Sequence, residues 1–260
     1  TTIATGGFAN YDASFGAFGP GVEYAAAAFM ALAALPFVRY VQLLSGSLAA
    51  PLADSQVRAF LWTLAALALV MVAWQVWSSD RGWETALRKA LFNVTSIMTG
   101  TGYASDDYML WGSFAVTVFF FAGLIGGCAG STACSIKVFR YQLLFASIRA
   151  QVRTIHTPSG VFEPRYEGRP VGEDVLSSVM SFFVLFVVTL GALSVLLGMT
   201  WLDFVTSVSG AAAALANIGP GLGPEIGPAG NFAGLNDTAK WLLAAAMLIG
   251  RLELLAVYAL

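Results

Sequence analysis

The chain has 260 residues, of which 58% are hydrophobic and 11% charged, with a formal net charge of −2. Soluble domains carry about a quarter charged residues, so this composition excludes an ordinary soluble domain and points to a chain that sits in a lipid bilayer. A net charge so close to zero argues against a nucleic-acid partner.

The opening residues, TTIATGGF, read as the tail of a short helix running into a glycine loop. They lack a basic region followed by an apolar one, so no signal peptide is predicted there. Residues 22–44 and 57–77 are apolar over the length, about 20 residues, that a membrane-spanning helix needs. Residues 83–98, WETALRKALFNVTSIM, read as a short amphipathic helix and lead into TGTGY. Residues 109–125 are near the lower limit for a span and break at GGCAGSTACS, residues 126–135. Bare glycine-rich backbone at membrane depth is tolerated only where protein covers it or where it lines a wet cavity. An amphipathic basic segment follows, IKVFRYQLLFASIRAQVR, and then a polar, turn-rich loop over residues 156–174 in which His156 is expected to be solvated. Residues 175–197 form a further span. MTWLDFVTSVSGAAAALA and NIGPG then repeat the pattern of short helix and glycine loop, and residues 239–260 end in the middle of an apolar run. Both ends read as cut from a longer chain.

The two cysteines, Cys128 and Cys134, lie in a stretch of small residues with no His or carboxylate companion. They suggest neither a disulfide framework nor a zinc site, which takes about four ligands. Orientation follows Lys and Arg. Lys137, Arg140, Arg149, Arg153, Arg165 and Arg169 place residues 137–169 on the cytoplasmic side, and Arg39 and Arg58 agree. Residues 83–107 then face outward, with Arg88 and Lys89 as a mild exception.

The unit of helix, short helix, glycine loop and helix is therefore repeated. Its loops are the interesting part. A potassium ion in a narrow pore must exchange its water for fixed oxygens, and inward-pointing backbone carbonyls from several loops supply them. Glycine permits the changes of φ sign that aim successive carbonyls the same way. A threonine hydroxyl adds an oxygen, and Phe8 or Tyr103 can wedge a loop against its neighbours. The short helices aim their negative C-terminal ends at the ion. Asp106 and Asp107 would raise cation concentration at the outer mouth.

The motifs ATGGF (residues 4–8), SIMTGTGYAS (96–105), GGCAGSTACSIKVFR (126–140), NIGPGLG (217–223) and GRLE (250–253) occur in this order over almost the whole chain. Together they resemble the TrkH/TrkG branch of the Trk/Ktr/HKT superfamily of potassium transporters. The resemblance implies an all-α integral membrane protein built of helix–pore loop–helix units around one pore, with one inner helix broken by a glycine-rich intramembrane loop. Of the family's four repeats it predicts the end of the second in residues 1–45, the third in 46–153, a cytoplasmic loop in 154–173 and a truncated fourth in 174–260. Three of four filter loops would then be present, too few to close a filter around an ion.

The same resemblance implies a selectivity filter at Thr5, Gly6, Gly7, Thr101, Gly102, Tyr103, Asn217, Ile218 and Gly219. Potassium would be held by the backbone of Thr5, Gly6, Thr101, Gly102, Ile218 and Gly219. Each repeat contributes one key glycine, here Gly102, Gly219 and either Gly6 or Gly7. The implied gate comprises Gly126, Gly127, Gly130 and Ser131 of the intramembrane loop, together with Arg251. Ala133 and Cys134 stand where the family commonly has Ser and Gly, which predicts a stiffer loop. Arg251 lies about twelve residues into the last apolar run, a depth at which a charge is costly unless it faces a wet cavity or a partner. By resemblance it projects into the pore as a barrier. Glu253 is two residues away and does not share its helix face. Lys137 and Arg140 are expected at the cytoplasmic rim.

The function implied is potassium transport across the bacterial inner membrane by a multi-pass protein. No cofactor is implied beyond potassium in the pore. The implied partners are a second copy in a homodimer, a cytoplasmic TrkA-like nucleotide-binding ring and the lipid bilayer. A Ktr-type sodium-stimulated transporter and a nonfunctional membrane fragment are the alternatives. An intramembrane protease would need a Ser/His or paired-Asp arrangement within apolar helices, whereas His156 lies in a loop and Asp106 and Asp107 at a helix end.

Overall fold

The structure, a computed structural model, describes residues 1–11, 13–47, 53–79, 81–157, 160 and 162–252. Within them the regular structure is helical apart from a two-stranded hairpin, Arg165–Tyr166 against Arg169–Pro170, in the polar loop, and an isolated bridge between Ile125 and Ile136. The helices are α1 (Pro20–Ala33), α2 (Phe37–Leu44), α3 (Ser55–Ser78), α4 (Trp83–Met98), α5 (Ser113–Leu124), α6 (Val138–His156), α7 (Glu173–Gly198), α8 (Phe204–Ala216) and α9 (Asp237–Arg251).

α3 and α7 are long and apolar enough to cross a membrane. Their 24 and 26 residues give about 36 and 39 Å at 1.5 Å per residue, more than the hydrocarbon thickness of about 30 Å. Trp62, Leu69, Val76 and Trp77 on α3 and Val184, Val187, Val188 and Val195 on α7 are exposed. In water such faces would be a liability. In lipid they are the solvated surface.

The short helices α4 and α8 are buried instead. Every residue from Phe92 to Met98 of α4, and from Ser209 to Ala216 of α8, is buried. A helix that is buried all round belongs in the core, and here α3, α1 and α5 enclose α4 while α7 and α9 enclose α8. Phe60, Met71, Val94, Met98, Tyr108 and Phe119 anchor the larger core. Leu193, Leu197, Ala214, Ile226 and Leu243 form a smaller one around α8.

Two expected spans are corrected. Residues 22–44 are not one continuous helix: α1 and α2 meet at 93° across Ala34–Pro36. Pro36 supplies no N–H and disfavours helical backbone at Leu35, and the break leaves the Ala33 and Ala34 carbonyls open to other donors. Residues 109–125 divide into a turn of tight helix at Tyr108–Trp111 and the 12-residue α5. The last apolar run is helical as α9 to Arg251. Residues 253–260, with Glu253, lie outside the described residues.

Candidate functional site

The ends of α4 and α8, and the turn at residues 1–5, close in the same way. In each, one residue takes left-handed φ: Thr5 (47°), Gly100 (68°) and Asn217 (52°). Its N–H donates three residues back, to Thr2 at 3.1 Å, Ile97 at 3.1 Å and Ala214 at 3.2 Å. The next N–H, of Gly6, Thr101 or Ile218, donates five residues back, to Thr1 at 3.1 Å, Ser96 at 2.9 Å and Ala213 at 2.9 Å. These two bonds define the Schellman termination of a helix. A second positive φ follows two residues later, at Gly7 (66°), Gly102 (84°) and Gly219 (112°). The repeat read in the sequence is thus a repeat of backbone conformation, and it settles the register of the first loop. Gly7, not Gly6, is equivalent to Gly102 and Gly219, so the first-loop counterpart of Thr101 and Gly102 is Gly6 and Gly7, one residue later than Thr5 and Gly6.

The three loops converge. A β-carbon on Gly7 would collide with the Thr101 carbonyl, and one on Gly102 with the Ile218 carbonyl. A β-carbon on Gly219 would lie 3.2 Å from the Gly102 Cα. Among the described residues no donor reaches the carbonyls of Thr5, Gly6 and Gly7, of Gly100, Thr101 and Gly102, or of Asn217, Ile218 and Gly219. Thr5, Gly100, Thr101 and Ile218 are buried, Gly6, Gly7, Gly102 and Asn217 half-buried and Gly219 exposed, and buried carbonyls are normally paired. These nine carbonyls lie in three loops of matching backbone conformation that approach one another at Gly7, Gly102 and Gly219.

Gly6 has ordinary backbone φ and meets nothing closer than the Phe8 ring at 3.5 Å. Gly6→Ala is therefore expected to change stability by no more than about 0.5 kcal/mol. Gly7→Ala incurs positive-φ strain of roughly 1–3 kcal/mol in addition to its collision. Thermal unfolding of the purified protein checks this, and equal losses for the two would reject the register.

Above the oxygens the chain is stitched down. The Tyr103 carbonyl accepts from Ser96 Oγ at 2.7 Å and that of Ala104 from the Phe15 amide at 2.9 Å. Tyr103 itself is buried against Phe15 at a centroid distance of 4.4 Å, whereas Phe8 is 79% exposed, so of the two only Tyr103 acts as a wedge. The threonine hydroxyls are occupied. Thr101 bonds Thr99 at 2.7 Å, and Thr5 donates towards the Ala4 and Thr132 carbonyls at 2.9 and 3.0 Å.

Asp106 forms an ion pair with Arg81 and accepts from Trp111 Nε1 at 3.0 Å, and Asp107 caps Met109 at 3.0 Å. Asp106 is therefore not the free charge expected at a mouth, whereas Asp107 has no ion-pair partner among the described residues. Arg88 and Lys89, the exception to the charge rule, pair with the buried Glu23 at 2.7 and 2.8 Å. At the start of α4, Arg88 also holds the exposed Glu84 carboxyl below its ordinary range.

Beneath the oxygens lies the loop between α5 and α6. It docks on the break in α1–α2: the Cys128 amide donates to the Ala34 carbonyl at 3.0 Å, Thr132 Oγ1 to Ala33 at 3.1 Å, and the Phe37 amide to Gly130 at 3.0 Å. Gly126 donates to Ile136 at 2.9 Å and Gly127 accepts from Val138 at 3.1 Å. Ser131 closes a turn on the Cys128 carbonyl at 2.7 Å, and Thr132 reaches the first glycine loop through the Ile3 carbonyl at 3.2 Å. Ser135 bonds the end of α8 through the Ala216 carbonyl, from its amide at 3.0 Å and its hydroxyl at 3.1 Å. The loop thus ties together the α1–α2 break, the turn at residues 1–5 and the end of α8.

Below it a cavity of about 300 Å³ is lined by Ser131, Thr132, Cys134, Lys137, Arg140 and Arg251, among others. Arg251 donates from Nη1 to Cys134 Sγ at 2.7 Å, so the loop and this arginine are in contact. Arg140 does not lie at a rim. It is buried, with its guanidinium 3.9 Å from the centre of the Phe182 ring. Lys137 donates to the Ala133 carbonyl. Lys137 is half-buried, and both residues line the cavity.

The profile of a family described as TrkH, cation transport protein, matches residues 1–260. This chain belongs to the TrkH family. It is 47% identical over 262 residues to the Trk system potassium uptake protein TrkI of Halomonas elongata, covering 100% of this chain and 53% of that protein. It is 33% identical to TrkH of Escherichia coli K12 over 269 residues, 100% of this chain and 54% of that one. The crystal structure of the potassium transporter TrkH from Vibrio parahaemolyticus superposes with a TM-score of 0.89 at 31% identity, over 96% of this chain and 54% of that chain. The chain spans about half the length of these relatives. The family is one of cation transport proteins, not enzymes, and α3 and α7, long and apolar enough to cross a membrane, agree with a membrane protein.

Proposed function

We propose that this chain forms most of a potassium-selective pore in the bacterial inner membrane, multi-pass, with the three converging loops as its filter and the α5–α6 loop as its gate. The observation that carries this reading is the close approach of three loops of one backbone conformation, whose nine carbonyls have no donor among the described residues. A dehydrated cation needs such oxygens, and its binding must be loose enough to allow release. Potassium is their ligand, held by the backbone of Thr5, Gly6, Gly7, Thr101, Gly102, Ile218 and Gly219, with Asn217 shaping the third loop and Tyr103 bracing the second. No other cofactor enters the reading.

The repeats are proposed as residues 1–45, 46–153 and 174–260, with 154–173 as a cytoplasmic linker and a further loop completing the ring. Gly126, Gly127, Gly130, Ser131 and Arg251 form the gate. The relatives named as potassium uptake proteins support potassium as the ion. A homodimer and a cytoplasmic nucleotide-binding ring similar to TrkA complete the assembly.

The test is rubidium uptake by the full-length protein in bacteria lacking their own potassium uptake systems. Growth at low potassium and rubidium uptake resistant to excess sodium are expected. A well-inserted protein that carries no rubidium, or carries sodium equally, overturns the reading.

A further inference from the structure

Glu23 is the most deeply buried carboxylate near the loops, with a side chain 1% exposed. It lies in the first turn of α1, where a negative charge suits the helix dipole. Its two oxygens serve different cations of α4: Oε2 accepts from Arg88 Nη1 at 2.7 Å and Oε1 from Lys89 Nζ at 2.8 Å. Arg88 also donates from Nε to Glu84 at 3.0 Å. Two positive charges in the N-terminal half of a short helix oppose its dipole. The two carboxylates balance them, so the cluster carries no net charge towards an arriving cation.

Arg88 alone would suffice to join α1 to α4. Lys89 does something more. Its Nζ also donates to the Ser105 carbonyl at 2.7 Å, three residues beyond Gly102. One turn further along the same face of α4, Asn93 donates from Nδ2 to Ser105 Oγ at 3.0 Å and accepts the Ser105 amide at 3.1 Å. After another turn Ser96 holds the Tyr103 carbonyl at 2.7 Å. Positions i, i+4 and i+7 share a helix face, so Lys89, Asn93 and Ser96 form a ladder beside the rising strand. With Phe15 bonding the Ala104 carbonyl, every carbonyl from Tyr103 to Ser105 has a donor, while those from Gly100 to Gly102 have none. The ladder marks where the open oxygens stop.

We infer that Glu23 and Lys89 are positioning residues for ion selectivity: the buried Glu23 carboxylate holds the Lys89 ammonium against the Ser105 carbonyl, and Lys89 thereby sets the height of the second filter strand. This rests on the potassium-pore reading. Glu23 never meets the ion. It acts through Lys89, and Lys89 acts through the backbone. Small displacements of reacting or coordinating groups carry large effects, about a hundredfold for 1 Å in enzymes, so release of this brace is expected to alter ion preference before it alters the fold.

Lys89→Met keeps the aliphatic stem and removes both bonds, leaving Arg88 on Glu23. Lys89→Arg keeps the charge and offers donors to both partners. Glu23→Gln removes the charge that both cations share. In the full-length protein, sodium competition against rubidium uptake is measured per inserted molecule. Hydrogen exchange of the peptide containing residues 103–108 is measured on the purified protein.

Lys89→Met is expected to exchange faster there and to lose about tenfold in potassium over sodium preference at near-parental abundance. Lys89→Arg should recover most of both, and Glu23→Gln should follow Lys89→Met. Unchanged exchange in Lys89→Met overturns the brace. Faster exchange with parental ion preference overturns its role in selectivity, as does a preference that falls only in step with abundance. A parent protein that carries no rubidium overturns the potassium reading instead, and is recognised before any variant is compared.

Discussion

Gly102→Ser is expected to lower potassium over sodium preference by about tenfold or more while the protein still inserts. The argument starts from φ of 84° at this residue, which is strained for any side chain by roughly 1–3 kcal/mol. The added β-carbon would also collide with the Ile218 carbonyl and lie 3.1 Å from Pro220 Cδ. Relief must come from a shift of the second loop against the third, and both loops carry the donor-free carbonyls of the proposed filter. One tenfold step in preference corresponds to about 1.4 kcal/mol, well within the strain introduced. Abundance is expected to change less, because α4 is anchored by Phe92, Val94 and Met98, all fully buried, whereas the three atoms nearest the added β-carbon belong to residues 218–220. Sodium competition of rubidium uptake per inserted molecule is the measurement. A well-inserted Gly102→Ser protein with parental preference would remove the filter from this position. Gly219→Ser should act in the same direction but more weakly, since its nearest approach, 3.2 Å to the Gly102 Cα, leaves more room.

How much of this arrangement can be read along the chain depends on the range of the interaction involved. The loops are local objects. Their glycines, the short helices before them and their recurrence lie within 20-residue windows, so the helix ends and loop positions were legible in TGTGY and NIGPG. The first loop was not resolved by the same means, because Gly6 and Gly7 are adjacent and both permit positive φ. Only the bonds from Thr5 to Thr2 and from Gly6 to Thr1 decide between them. Pro36 signals a helix boundary in the sequence. The 93° turn and its purpose do not appear there, because the freed Ala33 and Ala34 carbonyls are claimed by Thr132 and Cys128, almost 100 residues away.

Charges were the least legible. Arg88 and Lys89 broke the side rule in the sequence because their partner is 65 residues upstream, and Asp106 looked like a free surface charge because Arg81 folds onto it. Pairing in three dimensions neutralises both groups. A rule that counts charges along a loop cannot register that.

The same pairing logic decides what Arg251 does. Its guanidinium reaches Cys134 Sγ at 2.7 Å in a cavity shared with Lys137 and Arg140. If its role is charge, then Arg251→Ala raises cation flux. A unit charge roughly 8 Å from a passing cation, at an effective dielectric of about 20, opposes it by about 2 kcal/mol, so a rise on the order of tenfold is expected, largest without the regulatory partner. Arg251→Lys keeps the charge but loses the planar fork that reaches the sulfur, and should retain most of the barrier. If its role is instead to latch the loop, the contact matters and the charge does not. Cys134→Ala removes the contact and leaves the charge. The barrier account therefore expects near-parental flux from Cys134→Ala, and in the double variant Arg251→Ala/Cys134→Ala the flux of Arg251→Ala alone. The latch account expects Cys134→Ala and Arg251→Lys each to open the path as far as Arg251→Ala does. Flux is read per correctly inserted molecule, because a third outcome, lower flux together with poor insertion in Arg251→Ala, would make the arginine a folding element and defeat both accounts.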